Sequence, residues 1–221
     1  MKRIDNQILP AILKKIEKRI SSFEVPVVTY FQNKTRDPFI VLISTMLSLR
    51  TKDYVTREAT KRLLELAKSP KEIACLPQKR IEKAIYPVGF YKTKAKNIKK
   101  TASILVEKHS GKVPNKMEEL LALPGVGRKT ANLVLGEGFN IPAICVDTHV
   151  HRMSNRWGYV NTATPEETEI ALRKKLPKRF WIIYNTLLVT FGQNICVPIS
   201  PFCSKCPIAE YCPKIGVERT R

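Results

Sequence analysis

The stretch Leu120-Leu121-Ala122-Leu123-Pro124-Gly125-Val126-Gly127-Arg128-Lys129-Thr130-Ala131-Asn132 decides how the rest of the chain is read. Pro124 ends one helix, because the residue before a proline is pushed out of the α region. Two glycines then allow positive φ and close backbone approach. A second helix begins near Gly127, so its first N–H groups lack intrahelical partners and suit a phosphate. A plain helix–helix turn needs only one glycine. Arg128 and Lys129 in the first turn also oppose the helix dipole, a conflict that a bound anion relieves. Phosphate binding is favoured over a plain turn.

Outward from the hairpin, apolar positions recur at helical spacing. Ile4, Ile8, Leu9, Ile12, Leu13, Ile16 and Ile20 share one face. Asp37-Pro38 is an N-cap with a first-turn proline, opening a mostly buried helix through Leu47. Ser69-Pro70 and Thr164-Pro165 repeat that signal, and Glu167 completes a capping box with Thr164. Leu63, Leu64 and Leu66 belong to a charged helix starting near Asp53. A long basic helix runs from Lys92 to Lys108 and stops at Gly111. Asn115 caps another that ends before Pro124, and Phe180 to Asn194 forms a last apolar helix. Period-two alternation is almost absent, so the fold class is all-α.

The 221 residues are 43% apolar and 26% charged, which fits a globular fold rather than a disordered chain. Thirty-nine Lys and Arg against 19 Asp and Glu leave +20, which points to a polyanion: nucleic acid first, an anionic membrane surface second. A merely basic or ribosome-associated protein carries the same charge. Basic residues run from Lys2 to Arg221, with eight between Lys79 and Lys100 and five between Arg173 and Arg179. No run approaches the ~18 apolar residues of a membrane span. Met1 to Ser22 lacks the apolar block of a signal peptide, so an intracellular protein of cytoplasm or nucleoid is expected.

Six cysteines in such a compartment call for something other than disulfides. Cys75 and Cys145 read as core residues. Cys196, Cys203, Cys206 and Cys212 form C-x6-C-x2-C-x5-C, four thiols within 17 residues that can close around a tetrahedral metal or a cubane cluster. Spacing alone leaves zinc open. Pro198, Pro201 and Pro207 stiffen these loops.

Leu123-Pro124-Gly125-Val126-Gly127 is similar to the hairpin of helix-hairpin-helix DNA glycosylases. Val146-Asp147-Thr148-His149-Val150 resembles their aspartate-bearing stretch. With the four cysteines, the chain from about Pro38 to Cys212 resembles the endonuclease III family of bifunctional DNA glycosylases and abasic-site lyases. The resemblance implies excision of oxidised or reduced pyrimidines from double-stranded DNA in base excision repair, by a monomer carrying a [4Fe–4S] cluster on Cys196, Cys203, Cys206 and Cys212. Lys129 matches the catalytic lysine, whose amine attacks C1′, forms a Schiff base and cuts the strand by β-elimination. An ordinary lysine titrates at about 10.4; a helix N-terminus, Arg128 and partial burial would lower that. Asp147 matches the family's aspartate, as proton acceptor or as stabiliser of positive charge on the sugar. On its own residues Asp147 reads as an N-cap, and Lys129 as a phosphate contact. His149 and His151 lie on different helical faces and receive no role.

Gly125, Gly127 and Arg128 are then DNA-binding residues. Ser48-Leu49-Arg50-Thr51-Lys52-Asp53 matches a gap-filling loop that often carries glutamine in place of Arg50, and Gly89-Phe90-Tyr91 matches a wedge loop with Phe90 at its tip. Composition alone makes Arg50 a loop arginine and Phe90 a core residue; the basic helix after Phe90 favours the wedge. The family's basic loop between the first two cysteines is here the uncharged Val197–Phe202, leaving Lys205 and Lys214 as phosphate contacts. The expected architecture is two helical lobes, residues 28–139 and residues 1–27 with 140–221, flanking a DNA-binding cleft where Lys129 faces Asp147. A monofunctional adenine or thymine mismatch glycosylase is the nearest alternative, although Lys129 argues against it. A non-enzymatic DNA-binding module is the other, with or without zinc.

Overall fold

The computed structural model describes residues 4–221; Met1, Lys2 and Arg3, where the signal-peptide reading starts, lie outside the described residues. Among the described residues the chain is helical and has no strand. In order the helices are α1 (Leu9–Ile20), α2 (Val27–Thr35), α3 (Pro38–Ser48), α4 (Asp53–Leu66), α5 (Pro70–Cys75) and α6 (Gln78–Ile85). They continue with α7 (Tyr91–His109), α8 (Met117–Leu121), α9 (Arg128–Leu133), α10 (Thr148–Arg156), α11 (Pro165–Lys175) and α12 (Trp181–Asn194). A π-helical turn, Val134–Gly138, extends α9. None of these is long and apolar enough to cross a membrane. The chain divides into two compact units, Val27–Ile141 on one hand, and the residues through Pro26 with Pro142–Arg221 on the other.

The unit Val27–Ile141 is built around α3. Asp37 caps it by accepting from the Phe39 N–H at 2.8 Å, and every residue from Phe39 to Leu47 is buried. A helix apolar on all sides must be surrounded, and α2, α4, α7, α9 and the π turn all pack on it. Ser44 and Thr45 are tolerated there because both hydroxyls donate to the Val41 carbonyl. Helix α7 turns a stripe of Lys94, Ala95, Ile98, Thr101, Ala102 and Leu105 inward. It ends where Ser110 and Gly111 adopt positive φ and the Gly111 N–H reaches the Leu105 carbonyl at 2.8 Å.

The other unit buries Leu9, Ile12, Leu13, Ile16 and Ile20 of α1 in one core with Trp157, Tyr184 and Phe191. Each such side chain contributes about 1.5–3 kcal/mol on leaving water. The buried Tyr184 hydroxyl is satisfied by Ser154 at 3.1 Å.

Four local readings need correction. Helix α1 starts at Leu9 rather than Ile4, because Pro10 sits in its first turn and Asp5 accepts from the Gln7 and Ile8 N–H groups in a preceding turn. Asn115 does not cap α8: Lys116 holds that position without a side-chain bond, and Glu118 and Glu119 supply the favourable charge instead. Glu167 reaches the Ala163 N–H at 2.8 Å rather than that of Thr164, whereas Ser69 and Glu72 form the full capping box. Cys75 is exposed, since α5 buries Pro70 and Ile73 and a residue two beyond Ile73 falls on the far side.

Candidate active site and DNA-binding surface

The hairpin between α8 and α9 is pinned by buried Leu123 and Val126 and by Thr101 of α7, which donates to the Pro124 carbonyl at 3.2 Å. Gly125 is required twice over: φ is +79°, and a Cβ there would lie 2.7 Å from Asn97 Nδ2. Gly127 differs from the sequence reading. Its φ is −97°, ordinary for any residue, and nothing lies within 4 Å of its Cβ position. The fold does not need this glycine, and the space beside it is open. Helix α9 buries Thr130, Ala131 and Asn132, which leaves Arg128 and Lys129 exposed on its outer side. Lys129 therefore lacks the partial burial anticipated for it.

Asp147 caps α10. Its Oδ1 accepts from the N–H groups of His149 at 2.9 Å and Val150 at 2.8 Å, and Oδ2 takes part in neither bond. The carboxylate is fixed through one oxygen and remains half-buried.

Arg50 and Phe90 come together. The Arg50 guanidinium lies 5.0 Å from the centroid of the Phe90 ring, and Phe90 is 61% exposed, so it is not a core residue. Both hold left-handed backbone, at φ 53° and 58°. Beneath them Lys94 is buried rather than displayed towards phosphates as its basic helix suggested.

Cys196, Cys203, Cys206 and Cys212 border one cavity together with Arg156 and Lys214. Arg156 Nη1 donates to Cys196 Sγ at 3.4 Å and to the Val197 carbonyl at 2.8 Å, and Nη2 donates to the Pro198 carbonyl at 2.5 Å. Burial pushes the Cys206 thiol up to about 11. The uncharged Val197–Phe202 loop is flanked by cations: Arg221 and Lys205 stand 4.1 and 5.7 Å from the Phe202 ring centroid.

Residues 43–178 match the HhH-GPD superfamily of base excision DNA repair proteins. Endonuclease III of Thermotoga maritima is 51% identical over 180 residues, 81% of this chain and 84% of that one. The chain belongs to the endonuclease III family. Endonuclease III of Bacillus subtilis is 38% identical over 177 residues, 80% of this chain and 81% of its own. A trapped endonuclease III–DNA covalent intermediate, solved as an estranged-adenine complex, has a TM-score of 0.82 at 34% identity over 96% of this chain and 97% of that chain.

In this endonuclease III family member, sequence reasoning missed Lys94, Arg156 and Arg221. Lys94 carried a signal, a lysine on the inward stripe of an amphipathic helix. Arg156 carried a weaker one, sharing the buried side of α10 with Val150 and Met153. Arg221 carried none, since its place against Phe202 depends on how the last residues fold back.

Proposed function

We propose that Lys129 is the nucleophile of this DNA glycosylase and abasic-site lyase, with Asp147 as its partner in the reaction. The observation that carries the reading is the junction of hairpin and α9. An exposed amine stands two residues beyond a glycine whose Cβ position is open, at the start of a helix, where the dipole is positive and suits a DNA phosphate. The substrate is duplex DNA bearing an oxidised or reduced pyrimidine, which places the protein inside the cell with the chromosome. The neutral amine of Lys129 attacks C1′, the glycosidic bond breaks and the base leaves with its electron pair. Opening of the sugar ring gives the Schiff base, and loss of a C2′ proton expels the 3′ phosphate. Asp147 takes up the proton shed by the amine or balances positive charge on the sugar. Either task needs a fixed carboxylate, and capping through Oδ1 supplies one with Oδ2 to spare.

Cys196, Cys203, Cys206 and Cys212 would hold a [4Fe–4S] cluster. Four thiols bordering one cavity supply the all-sulfur donor set that such a cluster takes, and the membership of the chain in the endonuclease III family favours it over zinc. When bound, such a cluster ties the loop into one covalent unit and provides a redox-capable centre. Arg156 orients Cys196 from the adjoining helix.

Borohydride trapping on duplex DNA carrying thymine glycol tests the catalytic reading. A covalent adduct with the parent protein and none with Lys129→Ala is expected. No adduct on this lesion or on a plain abasic site would exclude the lysine mechanism. Iron and acid-labile sulfide analysis tests the cluster: a yellow-brown protein is expected, and a colourless zinc protein would overturn it.

A further inference from the structure

Lys94 stands in the first turns of α7, yet is only 9% exposed. Its Nζ donates to the Leu47 carbonyl at 2.8 Å, the Leu49 carbonyl at 2.5 Å and Thr51 Oγ1 at 3.2 Å. Leu47 and Leu49 lie at the end of α3, where the last carbonyls lack intrahelical partners and the dipole is negative. Helix α3 has no basic residue in its own last turn, so Lys94 supplies the cation from another helix. Three donors meet three acceptors, and none is left over.

The same contact reaches a second loop. The Gly89 N–H donates to Thr51 Oγ1 at 3.2 Å, and a Cβ on Gly89 would stand 2.8 Å from the Arg50 carbonyl oxygen. The two loops thus meet backbone to backbone, and their tips are Arg50 and Phe90. Left-handed backbone at two non-glycine residues persists only where the surroundings enforce it, and here the enforcing element is the ammonium and hydroxyl beneath.

We propose that Lys94 is a positioning residue for duplex opening: by tying the end of α3 to the Leu49–Thr51 loop, it presets Arg50 and Phe90 as one two-residue wedge. The proposal rests on the reading that these two side chains fill the gap left by a rotated nucleotide. A preset pair meets the duplex without first ordering two loops, which lowers the entropic cost of opening.

The test binds the intact protein to a duplex carrying thymine glycol beside 2-aminopurine, whose fluorescence rises on unstacking. In parallel, excision is measured from the same lesion in an unpaired bubble, where nothing needs opening. Arg50→Ala, Phe90→Ala and Lys94→Met should each weaken opening by about tenfold, and Lys94→Met should leave bubble excision within about twofold of the parent. If the two alanine variants lose opening and Lys94→Met keeps it, the positioning role is overturned while the wedge stands. If none of the three changes opening, the wedge reading falls and the role of Lys94 with it. Equal loss by Lys94→Met on duplex and bubble would reduce the residue to a support of the fold and overturn the proposal. Should Lys94→Met not fold, Thr51→Val keeps the ammonium but removes the hydroxyl joining it to Gly89. About threefold weaker opening is expected of it, and unchanged opening overturns the proposal.

Discussion

The Arg50 guanidinium stacks on the Phe90 ring at 5.0 Å, and the backbones of their loops meet just behind, at Gly89 and the Arg50 carbonyl. Magnitudes show which contact holds the pair. An exposed cation–π contact contributes about 0.5–1 kcal/mol, too little to hold two loops in left-handed backbone. The bonds behind it, from Lys94 to Leu49 and Thr51 and from the Gly89 N–H to Thr51, matter more, and the missing side chain of Gly89 lets the loops come close enough to make them. Gly89→Ala should therefore cost about 1–3 kcal/mol in urea denaturation, as overpacking does, and should weaken duplex opening along with it. An alanine variant with parental stability and opening would show that the loops meet too softly to act as a unit.

The two hairpin glycines should separate fold from function. Gly125→Ala places a Cβ against Asn97 at positive φ, so it should lose about 1–3 kcal/mol of stability. Gly127→Ala meets nothing within 4 Å and keeps an ordinary φ, so its stability should stay within about 0.5 kcal/mol of the parent. Its DNA affinity should nonetheless fall, because the added methyl stands where a phosphate would approach. Fluorescence anisotropy on duplex DNA beside thermal melting reads both effects. Undiminished affinity in Gly127→Ala would remove the hairpin from the DNA contact.

Asp147 has two jobs that a conservative change can split. Asparagine caps helices about as well as aspartate, so Asp147→Asn should keep the two bonds to His149 and Val150 and melt close to the parent. Asp147→Ala loses them and should cost about 1 kcal/mol. Both should lower excision of thymine glycol to a similar extent, since both lack the carboxylate. If Asp147→Asn retained full excision, Asp147 would be a cap and nothing more.

Much of this was legible because it is encoded locally. The Asp37-Pro38 start of α3, the stop of α7 at Gly111 and the cap at Asp147 each follow from a few adjacent residues whose backbone preferences agree. Lys94 was not legible as what it is. In a run with Lys92, Lys96, Lys99 and Lys100 it reads as one more surface cation, and only contacts with α3, distant in sequence, give it buried acceptors. The four cysteines were legible as a group, while Arg156 was not, because a guanidinium against a thiol is tertiary. Gly127 marks a different limit. Its conformation is ordinary, so a local rule assigned it a strain it does not carry; its meaning lies in the empty space beside it.

Lys94 also predicts opposite pH responses for stability and for opening. Burial holds its pKa down to about 8 from the ordinary value of 10.5, and the atoms facing its Nζ are the Leu47 and Leu49 carbonyls and the Thr51 hydroxyl, none of which titrates in this range. Between those two values the unfolded chain binds more protons than the folded one, so stability rises with pH across the window. The gain is complete above the unfolded value and lost as pH falls through about 8, where the folded protein carries a buried charge in full. Relative to Lys94→Met, the parent should therefore gain in melting temperature as pH climbs from about 8 towards 10. Opening should run the other way. A neutral amine has two hydrogens for three acceptors, so one bond to the loop is lost and Arg50 and Phe90 loosen. The 2-aminopurine signal of the parent should decline as pH passes about 8, while that of Lys94→Met stays low and flat. Parallel melting curves and parallel fluorescence profiles for the two proteins would mean that the Lys94 ammonium does not govern the loops.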